Sequence, residues 1–290
     1  MTQAARDTGP PFSQEEPMNK RLRTILNIVF ILAALAGAGM LLRQQLQWRD
    51  SAASAERASE IVHAVPAHDS KPAAIPAEEP PVPGPANGSV ETDPLVKELK
   101  TMDIAALRAV NPDVVGWITI PGGDISYPVL QGEDNDYYLH HTWEKKWNGG
   151  GSIFLDCRNS GDFGDFHTLV YGHRMRNGTM FAPLRRYAEQ DYWAEHPDIY
   201  VTDGTQVYRY AVFAAWEPEV TSPVYARELD SEEVRREMIE ACLSSSVIET
   251  GVVPGPEDRL LTLSTCTGTG HATRWVVQGK LVDTYPQEAE

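Results

Sequence analysis

Basic residues are scarce in this chain: 25 Lys and Arg stand against 41 Asp and Glu, for a formal net charge of −16. Binding a phosphate backbone needs clustered cations, so nucleic acid is excluded as a partner. Cysteine is scarcer still, with three in 290 residues. Three thiols cannot all pair. Cys157 and Cys242 are able to form one disulfide and leave Cys266 free, and the plainer reading of both is a small buried apolar residue. No internal repeat is present. His140-His141 lacks further ligands at zinc spacing. Thr267-Gly-Thr-Gly270 has no following helix with Lys-Ser/Thr, so it is not a phosphate loop.

Long apolar runs are also missing, with one exception. Thr24–Leu42 carries 19 uncharged residues, enough to cross a bilayer as a helix. Lys20, Arg21 and Arg23 precede it, while Arg43 and Arg49 follow with Asp50 and Glu56 beyond. That bias predicts a cytoplasmic N-terminus and a body outside the membrane. A cleaved signal peptide is the competing reading, because Ala33–Ala38 offers small residues to a peptidase. The length of the run and its late start favour an uncleaved anchor. Residues 1–23 are then a cytoplasmic tail and 24–42 a signal anchor in the lipid bilayer. Residues 43–92 form an extracytoplasmic linker rich in Pro and Ala, although Gln44–Glu60 has the composition to extend the helix. Pro66 to Pro94 contains eight prolines, a composition that stays extended rather than packed.

A folded domain is expected over 93–285. Pro94–Val110 has helical spacing, with Asp93 as N-cap and Pro94 at the first position. Strand-like runs follow at Val114–Ile120, Ile125–Leu130, Ser152–Asp156, Thr168–Tyr171, Ile199–Thr202, Val207–Trp216, Leu260–Ser264 and Trp275–Asp283. Helical stretches are expected at Thr179–Tyr187, Gln190–Glu195 and Ser231–Ser245. Many short strands with a few inserted helices predict a mainly β, closed or half-closed mixed barrel.

Three strand ends carry reactive groups. Thr262-Leu-Ser-Thr-Cys266 closes one run, Arg274 opens the next, and Leu169-Val-Tyr-Gly-His173 closes a third. Cysteine supplies a nucleophile, histidine a proton carrier, and arginine a fixed positive charge for an oxyanion. That set suffices for acyl transfer without a metal or cofactor. Of the other histidines, His63 and His68 fall in the linker. His140, His141 and His196 fall in helix or turn segments and are expected at the surface. His167 shares a strand with His173, and His271 lies in the loop after Cys266. Trp143 and Trp147 flank Lys145-Lys146, either as an exposed amphipathic turn or as core.

Leu263-Ser-Thr-Cys266 with Arg274 resembles the active-site signature of sortases, the membrane-anchored cysteine transpeptidases of Gram-positive bacteria. Tyr171-Gly-His173, Met175 and Asn177-Gly-Thr-Met-Phe181 resemble the histidine segment of the class B branch. So do Asn111-Pro-Asp-Val-Val-Gly-Trp117, Asp136-Tyr-Tyr-Leu139, Gly151-Ser-Ile-Phe-Leu-Asp156 and the helix inserted between Trp216 and Leu260. The resemblance runs from Asp93 to Asp283 and implies an eight-stranded sortase-like barrel. It implies Cys266, His173 and Arg274 as catalytic residues. For substrate binding it suggests Ser264, the backbone N–H of Thr265, and a groove wall carrying Ser222 and Tyr225. The implied partners are surface proteins bearing a C-terminal sorting signal. The acceptor is a peptidoglycan-precursor amine, for cell-wall anchoring, or a pilin lysine, for polymerisation. A membrane-tethered cysteine hydrolase and a non-catalytic binding module are the rival readings. Two departures stand out: Arg174 follows the histidine, where asparagine is common, and the loop Thr267–Gly270 lacks the acidic or tyrosine residues of many members.

Overall fold

The computed structural model describes residues 20–64, 93–226, 228–267 and 272–287. They divide into two compact units, one ending at Leu46 and one beginning at Gln47. In the first, helix α1 (Lys20–Val62) begins with an apolar stretch whose large side chains, from Ile25 to Leu42, are exposed. By length and composition this helix can cross a membrane. The tail before residue 20 and the proline-rich 65–92 lie outside the described residues.

The second unit includes the last turns of α1, where Ser51, Ser54, Ala58 and Val62 are buried. Two short helices follow, α2 (Pro94–Lys100) and α3 (Ile104–Val110). The spacing of 94–110 predicts one helix, and the structure breaks it at Thr101–Asp103. Asp103 takes the amide of Ala106 at 2.8 Å, so its carboxylate starts a new helix instead of continuing the old one. Its own amide donates to the carbonyl of Val62 at 3.1 Å, tying the break to the end of α1.

Among the described residues, eight strands close into a barrel in the order β1-β2-β3-β4-β7-β8-β6-β5. They are β1 (Val114–Ile120), β2 (Ile125–Leu130), β3 (Ile153–Leu155), β4 (His167–Tyr171), β5 (Asp198–Thr202), β6 (Gln206–Trp216), β7 (Leu260–Cys266) and β8 (Arg274–Pro286). The β2/β3 and β4/β7 pairs are parallel and the others antiparallel. This is the expected eight-stranded mixed barrel. Two helices join it, α4 (Gln190–Glu195) and α5 (Glu232–Ser245), the latter capped by Ser231. Over 179–187 the expected helical stretch is a 3-10 helix at Ala182–Ala188.

Side chains alternate across each strand, and the alternation decides what faces the core. Leu261 and Leu263 on β7, Val170 on β4, and Trp275 and Val277 on β8 fill the barrel interior. Thr262, Ser264 and Cys266 therefore share the outer face with His167 and Tyr171 of β4 and with Arg274, Val276 and Gln278 of β8. Part of that face is covered by α5, whose Met238, Ile239 and Cys242 pack with Leu260, Val276 and Trp216.

Candidate active site

The strand register gathers the three reactive groups. Tyr171 is paired with Ser264, and the amide of Gly172 still donates to the Ser264 carbonyl at 3.2 Å. Continued for two residues, that register sets His173 beside Cys266. Across the antiparallel β7/β8 ladder Cys266 faces Arg274, a separation of about 5 Å between α-carbons. All three are half-buried, at the open ends of three neighbouring strands. The thiol is accessible, whereas Cys242 is 1 % exposed and burial pushes its thiol up to about 12. Cys157, Cys242 and Cys266 are all free thiols.

His173 is oriented by a backbone group. Its Nε2 lies 2.8 Å from the carbonyl oxygen of Leu139. A carbonyl only accepts, so the proton sits on Nε2 and Nδ1 is the nitrogen left to exchange one. No residue type announces a backbone carbonyl, which is why sequence reading did not find this partner. Sequence reading also puts His140 and His141 on the open surface. Both are half-buried instead, and the His140 ring lies 6.4 Å from that of His173 and 5.3 Å from Trp147. The two tryptophans of the segment divide: Trp143 is 4 % exposed and Trp147 is 64 % exposed.

Ser264 is buried, and its hydroxyl pairs with that of Tyr225 at 2.8 Å. Burial pushes the Tyr225 phenol up to about 12, opposed by the Ser264 contact and by Arg274, with Cys266 pushing further upward. Tyr225 thus lies close enough to feel both Cys266 and Arg274. Ser222 sits one turn earlier, where its hydroxyl caps the amide of Val224 at 3.4 Å. Thr265 points the opposite way from Cys266, and its hydroxyl donates to the Gly172 carbonyl at 2.7 Å, stitching β7 to the end of β4. Arg174 makes a second stitch, donating to the carbonyl of Thr267. Residues 268–271, with His271, lie outside the described residues.

The start of β8 is braced from the other side. The amide of Arg274 donates to the Pro218 carbonyl at 2.9 Å, and that of Val220 to Ala272 at 2.9 Å. Thr273 reaches Glu217 at 2.8 Å. The segment leading to Ser222 and Tyr225 therefore runs beside Arg274. Among the described residues no group of three or more His, Cys, Asp or Glu is placed to hold a metal ion.

Residues 118–282 match the model of the sortase domain family. The chain belongs to the sortase family. A sortase B of Listeria monocytogenes is 39 % identical over 184 residues, covering 62 % of this chain and 74 % of that protein. A sortase B of Staphylococcus aureus is 32 % identical over 179 residues, covering 61 % and 73 %. Among solved structures, a Staphylococcus aureus sortase B-substrate complex superposes with a TM-score of 0.59 at 31 % identity, covering 62 % of this chain and 84 % of that one. These relatives place the chain in class B, among the cysteine transpeptidases that anchor surface proteins. They favour neither a hydrolase nor a non-catalytic module.

Proposed function

We propose that Cys266 is the nucleophile of this sortase, His173 its proton carrier and Arg274 its oxyanion partner. The observation that carries this reading is the register Tyr171↔Ser264 with Cys266↔Arg274, which brings one residue of each kind to three adjacent strand ends on one face. The thiolate of Cys266 attacks the carbonyl of the scissile peptide bond in a C-terminal sorting signal. The guanidinium of Arg274 stays protonated throughout and balances the oxyanion of the tetrahedral intermediate. His173, held through Nε2, protonates the leaving amine from Nδ1 as the intermediate collapses to a thioester. Nδ1 then takes a proton from the incoming amine, which displaces Cys266 and forms the new peptide bond. Tyr225 and Ser264 wall the groove that receives the signal, with Ser222 at its rim and the Thr265 N–H toward the oxyanion. The acceptor is an amine of a peptidoglycan precursor, and the result is attachment of a surface protein to the cell wall.

The apolar stretch 24–42 holds the chain in the membrane with its N-terminus in the cytoplasm. The basic residues Lys20, Arg21 and Arg23 before that stretch support this orientation.

Mass spectrometry tests the reaction. The protein is incubated with sorting-signal peptides, with and without glycine-type or lysine-type amines. An acyl adduct on Cys266 and a ligated product with the glycine-type amine are expected. Adduct formation that survives Cys266→Ala would sink the assignment of the nucleophile, and ligation of the lysine-type amine alone would turn the reading toward pilin polymerisation.

A further inference from the structure

The carbonyl that orients His173 belongs to Leu139, at the start of a loop ending at Ser152. The loop is tightly self-bonded. The amide of Asn148 donates to the His140 carbonyl at 2.8 Å, and that of Ser152 to the Tyr138 carbonyl at 2.9 Å. The hydroxyl of Ser152 donates to the His141 carbonyl at 2.8 Å. Gly151 has a φ of +57°, and a Cβ there would collide with the carbonyls of Tyr138 and Leu139. Peptides on either side of the Leu139 carbonyl are therefore pinned by the far end of the loop.

That far end is gripped by the helical segment Gln47–Val62. The Ser51 hydroxyl donates to Oδ1 of Asn148 at 2.6 Å in a buried contact. Nδ2 of Asn148 donates to the Gln47 carbonyl at 3.0 Å, and Oδ1 also takes the amide of Gly150 at 2.8 Å. The buried indole N–H of Trp143 donates to the Ser54 carbonyl at 2.7 Å. Ser54 and Arg57 both reach the carboxylate of Glu144. A helix that only covered apolar surface would need none of these. Buried polar groups are costly unless paired in one geometry, so together they fix a single placement of loop on helix.

We propose that the segment Gln47–Val62 is a positioning element of the active site. Through Asn148 and Trp143 it sets the Leu139 carbonyl, and through that carbonyl the orientation and tautomer of the His173 ring. The path is short: Asn148 bonds the helix by its side chain and the carbonyl of His140, the residue after Leu139, by its amide. This inference rests on the reading of His173 as the proton carrier.

The test uses the full chain in detergent micelles and the variants Asn148→Ala, Ser51→Ala and Trp143→Phe. Four quantities are followed: melting temperature, kcat and KM with a reactive sorting peptide, and the imidazole nitrogen shifts of His173. In Asn148→Ala, kcat is expected to fall on the order of tenfold with KM within about twofold, since misplacing a catalytic group by a fraction of an ångström slows chemistry more than binding. The Nε2–H form of His173 should give way to a mixture of tautomers. Ser51→Ala and Trp143→Phe should shift the same readouts a few-fold less, and they carry the test if Asn148→Ala does not fold. Lower melting temperatures with kcat and the His173 tautomer as in the parent would overturn the proposal and leave the segment a purely structural support. The two readings also fail separately. A parent protein without turnover whose His173 tautomer still follows the variants sinks the proposed reaction and sustains the positioning. Full turnover with an indifferent tautomer does the reverse.

Discussion

Strands β4, β7 and β8 carry two polar rows on the same outer face, and the rows have opposite characters. Near one end His167 meets Thr262 at 2.7 Å, Thr262 accepts from Gln278 at 3.0 Å, and Gln278 accepts from the Trp216 indole at 2.8 Å. Every member of that row is buried. Four residues further along β7 and four back along β8 stand Cys266 and Arg274, with His173 six residues beyond His167, all half-buried. Histidine, a small polar or thiol side chain and a polar β8 residue recur in the same strand order. Cover makes the difference. Where the face is covered, the polar groups satisfy one another and become inert core. Where the cover stops, Cys266, His173 and Arg274 keep partial exposure, and a substrate can reach them.

Breaking the open row should have the largest effect. If Cys266 is the nucleophile, Cys266→Ala removes the thioester-forming sulfur, so turnover should fall by on the order of 10⁴-fold or more, with peptide binding retained. His173→Ala should lower kcat by about 10²- to 10⁴-fold. Steady-state ligation assays check both, and turnover by Cys266→Ala within tenfold of the parent would remove this row from the reaction. Arg274→Ala comes next. Loss of a preorganised oxyanion partner typically costs on the order of 10²- to 10³-fold in kcat. Arg274→Lys should restore only part of it, because an ammonium lacks the planar fork of donors. Full activity in the lysine variant would reduce Arg274 to a bulk charge.

The buried row should be silent in turnover and audible in stability. Burial lowers the His167 pKa to about 4, against about 6.5 in an unfolded chain. The unfolded chain therefore binds a proton that the folded one refuses. Stability falls as pH drops from about 6.5 toward 4, by up to about 3 kcal/mol for this group. His167→Gln keeps a polar partner for Thr262 and cannot take that proton. Its stability should vary less with pH across this window, with kcat near that of the parent. Denaturant melts from pH 4 to 7 check this, and equal slopes in parent and variant would show that the row does not titrate.

The two rows also mark how far the sequence could be read. A cysteine, a histidine and an arginine at three strand ends were visible because alternation and Gly or polar punctuation mark strand ends locally. The barrel was visible for the same reason. That His167 shares a strand with His173 was equally plain, but not that it is buried against Thr262, 95 residues away in the chain. The Leu139 carbonyl left no trace, because every residue has one. The break at Thr101–Asp103 was hidden inside a good helical spacing, since an aspartate reads as either a tolerated helix residue or a new cap. Trp143 and Trp147 looked alike in sequence, and only the helix behind the loop buries one and leaves the other in solvent.

The smallest effect should come from the seam between the rows. Ser264 lies on β7 between Thr262 and Cys266, and its hydroxyl is paired with Tyr225 rather than with a neighbour in the covered row. Tyr225→Phe removes one hydrogen bond, about 1 kcal/mol in a partly buried setting, and leaves the ring in place. Ser264 then loses its partner on the groove side. If the pair serves the groove wall, KM for the sorting peptide should rise about two- to fivefold with kcat nearly unchanged. A lower melting temperature with KM intact would instead assign the pair to the covered row, and move the boundary between inert and reactive polar groups to the far side of Ser264, against Cys266 itself.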